Sequence, residues 1–176
     1  MQATLLQEIE TPPQSWPEIV PYERPELPDD QMPDPEQVWQ RIESYIAHRY
    51  TPREVVWTVE GPGHWRPRLT PATIIKAEVW SNDAWEETDL PPGPFGFILP
   101  GAGPYRIEAT VGGGEVPPAV VDAYRRLHEY TVGIVQSFKN EAGFRTASDL
   151  EVVTGWTGRA LQLSGAADLL RPYRRA

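Results

Sequence analysis

Cysteine is absent from the 176-residue chain, which excludes disulfide bonds, thiolate zinc sites and thiol catalysis. No apolar run approaches the roughly 18–20 residues that a transmembrane helix needs. The N-terminal stretch MQATLLQEIETPP lacks the basic start and the long apolar segment of a signal peptide. We therefore expect an intracellular origin and no membrane partner.

Histidine is scarce, and its spacing does not predict a metal site. The three histidines are His48, His64 and His128, and none has a partner four residues away on the same helix face. His48 and His128 fall in predicted helices, whereas His64 lies in the turn GPGHW. We expect no metal and no cofactor.

Signatures of catalysis are also missing. The glycine run VGGGEVPP at 111–118 lacks the Lys-Ser/Thr ending of a phosphate-binding loop and is typical of a turn. Glu86 and Glu87 are adjacent, and neighbouring strand residues point to opposite faces. We expect no catalytic residues, although carboxylates distant in sequence leave a metal-independent hydrolase as a third, weakest interpretation.

Basic charge is low and confined to the C-terminus. Of the net charge of −9, residues 1–35 carry −7, with eight acidic side chains and one arginine, so the rest of the chain carries only −2. The one basic cluster, Arg171, Arg174 and Arg175, lies in the last six residues. Specific DNA binding, which needs a basic surface against phosphates, is not expected.

Residues 1–35 hold eight of the 20 prolines and are predicted to form an extended, acidic arm. Trp16, Ile19, Val20 and Tyr22 are its apolar side chains, and we expect them to contact a neighbouring subunit. The alternative interpretation is a disordered leader.

Residues 36–140 are predicted to form an α+β core. Asp34 and Pro35 begin a helix over 35–50 with one apolar face, and a second, stronger helix spans 117–140. Between them, over about 53–112, period-two runs separated by glycine and proline turns predict four to six antiparallel strands in a meander. The buried positions expected on these elements are Val38, Ile42, Tyr45, Ile46 and Arg49; Val55, Trp57 and Val59; Ile75, Ala77 and Val79; Tyr105, Ile107, Ala109 and Val111; and Val120, Tyr124, Leu127, Thr131, Ile134 and Phe138.

Residues 141–176 are predicted to be a loop followed by a short C-terminal helix. The few apolar side chains of this helix cannot hold it in place alone, so the helix must dock on its own domain or on another chain. Tryptophan is enriched, with seven residues, and Trp65, Trp85 and Trp156 fall in predicted turns or loops. Such tryptophans cover a thin sheet or anchor an interface, and the second case leaves open a monomeric module that binds a carbohydrate or peptide.

The order of four segments resembles the head–tail connector, or adaptor, proteins of long-tailed bacteriophages and of phage-derived gene transfer agents. These segments are IESYIAHRYTPREVVWTVEG, PATIIKAEVWSNDAWEETDL, YRIEATVGGGEVPPAVVDAYRRLHEY and DLLRPYRR. They cover roughly residues 39–140 and 166–176, while the proline arm replaces the short N-terminal helices usual in the family.

This resemblance implies a homo-oligomeric ring of about twelve subunits in the neck of a virion assembled in the host cytoplasm. The ring would lie between the portal protein and a tail-side stopper or neck protein, with DNA passing through it as non-specific cargo. The resemblance further implies that the C-terminal segment docks on the portal. Its expected docking residues are Leu169, Leu170, Arg171, Pro172, Tyr173, Arg174 and Arg175.

Overall fold

A computed structural model describes residues 2–22, 32–140 and 159–174. Helices and antiparallel strands occupy separate stretches of the chain, so the predicted α+β class is confirmed. The loop that we predicted after residue 140, including Trp156, lies outside the described residues, as does Arg175.

The chain divides into two compact units. Unit 1 combines Met1–Ser15 with His48–Gly114, and unit 2 combines Trp16–Ala47 with Glu115–Ala176. Each unit is thus assembled from two stretches that are distant in sequence.

Unit 1 contains all the strands in the described part of the chain. Their bounds are β1 Thr4–Glu10, β2 Arg53–Glu60, β3 Gly63–Trp65, β4 Ala72–Ser81, β5 Ala84–Glu87, β6 Pro92–Gly93, β7 Gly96–Leu99 and β8 Tyr105–Val111. One antiparallel sheet has five strands in the order β1-β2-β8-β4-β5, and a second has the order β3-β7-β6. The larger sheet has one strand, β1, outside the predicted range of about 53–112, and it is not a simple meander because β8 lies between β2 and β4. The smaller sheet was not predicted.

Alternation along β2 and β8 builds the core of unit 1. In the register Trp57 lies opposite Ile107 and Val55 opposite Ala109, so their side chains share one face. All the predicted inward positions of these two strands are at most 2% exposed. This part of the prediction is confirmed.

A β-bulge in β4 overturns one predicted core position. The pairing of β4 with β8 shifts register between Ile74 and Lys76. The extra residue turns Ile75 outwards, where it is 64% exposed, whereas Ala77 is 7% exposed and packs inside. The prediction that Ile75 and Ala77 share a face is therefore wrong.

Residues 4–10 form an edge strand and not part of an extended arm. β1 pairs antiparallel with β2 over its length. Glu8 accepts a hydrogen bond from Trp57 Nε1 at 2.7 Å, and Glu10 accepts one from Arg49 Nε at 2.6 Å and one from Arg53 Nη1 at 3.1 Å. These side-chain bonds reinforce the backbone ladder and hold the strand in place.

Helix α1 is shorter than predicted. It spans Pro35–Tyr45, and the Asp34 carboxylate caps it by accepting a hydrogen bond from the Glu36 amide at 2.9 Å. The helix ends before the predicted residue 50 because Ile46 is extended. Arg49, expected on the helix, instead donates its backbone amide to Thr70 at 2.8 Å within unit 1.

Helix α2, Pro118–Asn140, forms the centre of unit 2, where it packs against α1, α3 (Ala160–Leu163) and α4 (Ala166–Leu170). Trp39 and Tyr124 lie in this core with ring centroids 5.2 Å apart. The predicted face of α2 is buried at Val120, Tyr124, Leu127 and Ile134 and half-buried at Thr131; nothing is described for the side chain of Phe138. The predicted face of α1 is buried at Val38 and Ile42, while Tyr45 is half-buried.

Candidate interaction surface

Two segments predicted to make intermolecular contacts both belong to unit 2. They are residues 16–22 of the arm and residues 166–174 at the C-terminus. Their placement shows which side chains are available to another molecule and which the unit itself has buried.

The segment 16–22 lies on the helices of its own unit. The Trp39 indole Nε1 donates to the Pro17 carbonyl at 2.8 Å, and Arg125 Nε donates to the Val20 carbonyl at 2.8 Å. The Tyr22 hydroxyl donates to Asp122 at 2.7 Å, and the Arg125 guanidinium lies 4.6 Å above the Tyr22 ring. Backbone carbonyls of a segment outside helix and sheet have no partner within the segment. Trp39 and Arg125 supply the missing hydrogen bonds to the carbonyls of Pro17 and Val20.

Attachment through the backbone leaves apolar side chains of this segment exposed. Val20 is 75% exposed and Tyr22 is 58% exposed, whereas Trp16 and Ile19 are half-buried. Contact between these four residues and a neighbouring subunit remains a prediction, and Val20 has the largest exposed fraction among them.

The C-terminal helix α4 is anchored in unit 2 and not held out for a partner. Ala166 and Leu170 have no exposed surface, and α4 packs against α2. The expectation that Leu170 enters a groove of another chain is therefore wrong. The sequence also left open that the C-terminal helix docks on its own domain, and this is the case for Leu170. Leu169 is half-buried.

The residues after Leu170 face outwards on a single 3₁₀ turn, Arg171–Tyr173. Arg171, Pro172 and Arg174 are exposed and Tyr173 is half-buried. Arg171 forms an ion pair with Asp168, but both side chains are about three-quarters exposed, so this pair adds little stability. The Arg174 guanidinium lies 4.7 Å above the Tyr45 ring.

An open groove of about 460 Å³ lies beside this tail in unit 2. It is lined by Gln37, Gln40, Arg41, Ser44, Tyr45 and Leu161. Tyr45 belongs both to the groove and to the contact with Arg174. The tail and the groove together make a polar, cationic surface with apolar side chains at its edges, which suits an acidic protein partner better than a small apolar ligand.

Two of the tryptophans predicted in loops, Trp65 and Trp85, lie on strands. Trp65 lies on β3, is 5% exposed and packs edge-to-face on Trp57 at 5.4 Å. Trp85 lies on β5 and packs against Trp80, which is 42% exposed. The sequence interpretation of Trp65 and Trp85 as loop residues is wrong, because strands of three or four residues next to turn-forming residues look like turns in sequence.

Sequence reasoning missed a charged network on the larger sheet of unit 1. Glu78 accepts hydrogen bonds from Lys76 Nζ at 2.7 Å and from Arg106 Nε at 2.7 Å, and these contacts lower the pKa of Glu78 below its usual range. The Arg106 guanidinium in turn lies 4.7 Å from the Trp85 ring. Alternation of charged residues along β4 and β8 was the available signal, but cross-strand pairing depends on register.

The described residues contain no candidate metal site. Within ranges 2–22, 32–140 and 159–174, no group of three or more histidine, cysteine or acidic side chains is placed to hold a metal. His128 is 4% exposed and stacks on Tyr124, and burial lowers the pKa of its imidazole. It therefore belongs to the core of unit 2 and is not poised towards a cavity.

None of the helices in the described part of the chain is long and apolar enough to cross a membrane. Comparison with protein-family models, curated proteins and solved structures finds no match for this chain. Functional assignment consequently depends on the segment resemblance and on the surfaces described above.

Proposed function

We propose that this chain is a structural adaptor subunit of a virion neck. Copies would form a ring between the capsid portal and the tail-side neck protein, with DNA passing through the centre and no catalytic step. The order of the four segments that resemble the connector family supports this proposal, as does the basic C-terminal tail that ends the resemblance.

The observation that carries the proposal is how unit 2 presents this tail. Leu170 and Ala166 are fully buried and fix α4, so the residues that follow emerge from a rigid base. Arg171, Pro172 and Arg174 are all exposed. Because α4 is anchored, it already sets the position of the Pro-Tyr-Arg end that follows it. Docking of this end on a partner therefore costs little ordering entropy.

A basic tail suits an acidic partner surface, and in this proposal that surface belongs to the portal while DNA is passing cargo. Arginine side chains recognise carboxylates through two parallel hydrogen bonds. By contrast, the chain outside residues 1–35 is nearly neutral, with a net charge of −2. A nearly neutral channel wall releases few counterions from DNA and so does not retain it.

Removal of residues 171–176 tests the proposal, because this truncation spares Leu170 and keeps the core of unit 2. We expect the truncated chain to keep the wild-type circular dichroism spectrum and to unfold within about 1 kcal/mol of wild type, since the fully buried Leu170 is kept and the described side chains that are lost are exposed or half-buried. We also expect it to be absent from the portal in electron microscopy of particles produced in the host. Arg68→Glu, an exposed charge reversal in unit 1, is the matched control and should leave portal attachment intact.

Two outcomes would overturn the proposal. One is the truncated chain appearing at the portal in full copy number. The other is a wild-type protein that never enters particles, whatever the state of its tail.

A further inference from the structure

An open cleft of about 600 Å³ lies on the smaller sheet of unit 1. Its lining consists of Gln2, His64, Arg66, Pro94, Phe95 and Gly96. The smaller sheet builds it: β3 supplies His64, and the turn between β6 and β7 supplies Pro94 and Phe95. Neither the tail proposal nor the core of unit 1 requires these side chains to be arranged in this way.

The cleft combines one apolar wall with an exposed arginine. Phe95 is 71% exposed and meets the His64 ring edge-to-face at 5.7 Å. Arg66 is exposed and makes no ion pair with any described residue. The buried Nδ1 atom of His64 has no hydrogen-bond partner among the described residues, and no carboxylate lines the cleft.

A glycine keeps the β6–β7 turn closely packed on β3. Gly96 has a φ of +116°, and a Cβ atom there would lie 2.4 Å from the Trp65 carbonyl oxygen. Any side chain at this position would push the turn and Phe95 away from β3. The exposed ring is therefore held at the cleft by backbone packing.

Such a surface suits an acidic, proline-containing peptide. Proline-rich segments dock on exposed aromatic rings because their extended conformation is preformed, and arginine attracts their acidic side chains. The stretch ERPELPDDQ at residues 23–31 has this chemistry, with two prolines, one leucine, four acidic residues and one arginine, for a net charge of −3. Tyr22 and Asp34, on either side of it, are both held on unit 2 of their own copy.

We propose that the cleft of unit 1 binds residues 23–31 of a second copy of this chain. The choice of a second copy depends on the proposed ring, because a head-to-tail contact between unlike surfaces is what closes a ring. Phe95 packs on the proline rings and Arg66 pairs with the carboxylates.

Binding of a synthetic peptide tests this contact directly. A fluorescent peptide of residues 22–33 is titrated with the full chain and with a variant whose residues 23–31 are replaced by a Gly/Ser linker of equal length. We expect saturable binding that weakens with added salt. Phe95→Ala should weaken it on the order of tenfold, as for a central aromatic anchor, and Arg66→Gln on the order of fivefold. Ile75→Ala and Arg68→Gln are matched controls outside the cleft and should leave affinity unchanged.

Mixing two disabled chains tests the second-copy assignment. The linker variant keeps the cleft, and the double variant Phe95→Ala/Arg66→Gln keeps the segment. Each alone should sediment as a monomer, and the mixture should form a 1:1 dimer. A monomeric mixture, or equal binding by the cleft variants and the controls, would overturn the proposal. Peptide binding to the linker variant but not to a full chain that sediments as a monomer would show that the segment occupies its own cleft, which also overturns the proposal.

These readouts are independent of portal attachment. If particles carry the protein at the portal while the mixture stays monomeric, only the cleft proposal fails. If the mixture dimerises and the protein is absent from particles, only the adaptor proposal fails.

Discussion

Unit 1 and unit 2 obtain their cores in different ways. In unit 1, β2 and β8 pair side by side, and their alternation by itself decides which side chains are buried. In unit 2, α1 and α2 supply helical faces, but the core is completed by Leu170 from the far end of the chain. A periodic pattern within one element predicts the first kind of core, whereas the second kind depends on which segments meet.

The largest effect should come from the centre of unit 1. Trp57→Ala removes a side chain with no exposed surface and its hydrogen bond to Glu8, and we expect a loss of about 3–5 kcal/mol in the free energy of unfolding. Urea denaturation followed by tryptophan fluorescence measures it. Trp80→Ala, at a position 42% exposed, is the control and should cost clearly less. Equal costs would mean that the alternation does not define this core.

Leu170→Ala tests whether the tail belongs to unit 2. Deletion of a fully buried leucine costs about 2–5 kcal/mol, and we expect a value in this range from thermal or urea unfolding. Leu163→Ala nearby removes a leucine that is 54% exposed and should cost under about 1 kcal/mol. If Leu170→Ala left the free energy of unfolding unchanged, Leu170 would again be a candidate for contact with a partner.

Glu10→Gln tests the attachment of β1 to the rest of unit 1. The carboxylate accepts charged hydrogen bonds from Arg49 and Arg53, so we expect a loss of about 1–3 kcal/mol. Hydrogen exchange of the β1 amides should quicken more than that of β8. Glu54→Gln, at an exposed position on the neighbouring strand, is the control. Unchanged exchange in β1 would show that the backbone ladder alone holds the strand.

Acid should weaken the two units in different pH windows. Burial lowers the pKa of His128 in unit 2, so the unfolded chain binds the proton more readily and stability falls as pH drops below about 6.5. Hydrogen bonds from Lys76 and Arg106 lower the pKa of Glu78 in unit 1, so its contribution is lost only below about pH 4.5. In the free energy of unfolding measured from pH 8 to 4, the fall that begins below about pH 6.5 in the wild type should be absent in His128→Phe. An identical slope in that variant would contradict this assignment.

The smallest effect is expected at Ile75. Because the bulge leaves this side chain 64% exposed, Ile75→Thr should change the free energy of unfolding by no more than about 0.5 kcal/mol. Val79→Thr on the same strand, where the side chain is half-buried against the core, should cost more. The reverse order would place the bulge elsewhere in β4.

Sequence predicted the elements whose burial follows from their own period. The faces of β2 and β8 and most of the face of α2 fall in this group, because strand or helix geometry fixes which positions point inwards. The prediction also placed the start of α1, since Asp34 and Pro35 carry a local capping signal.

The failures share a physical cause, which is a contact between distant segments. β1 is a strand because β2 offers a free edge and Arg49 and Arg53 bind Glu10. α1 stops early because Arg49 bonds to Thr70. At the candidate surface, sequence named the exposed Arg171 and Arg174 but could not tell that Leu170 was already covered. The cleft residues His64, Arg66 and Phe95 carry no periodic signal, because a turn brings them together.

The position of β8 at the middle of the larger sheet has a consequence for how the chain is made. β2 and β4 leave the ribosome before β8, and although β2 can already pair with β1 and β4 with β5, the strand that joins these two pairs comes last. Until residues 105–111 emerge, the nascent chain carries two separate strand pairs, each with one open edge, and closure of the sheet spans tens of residues. Synthesis that pauses before this point exposes a half-built sheet to aggregation, and chaperone demand should be greatest there.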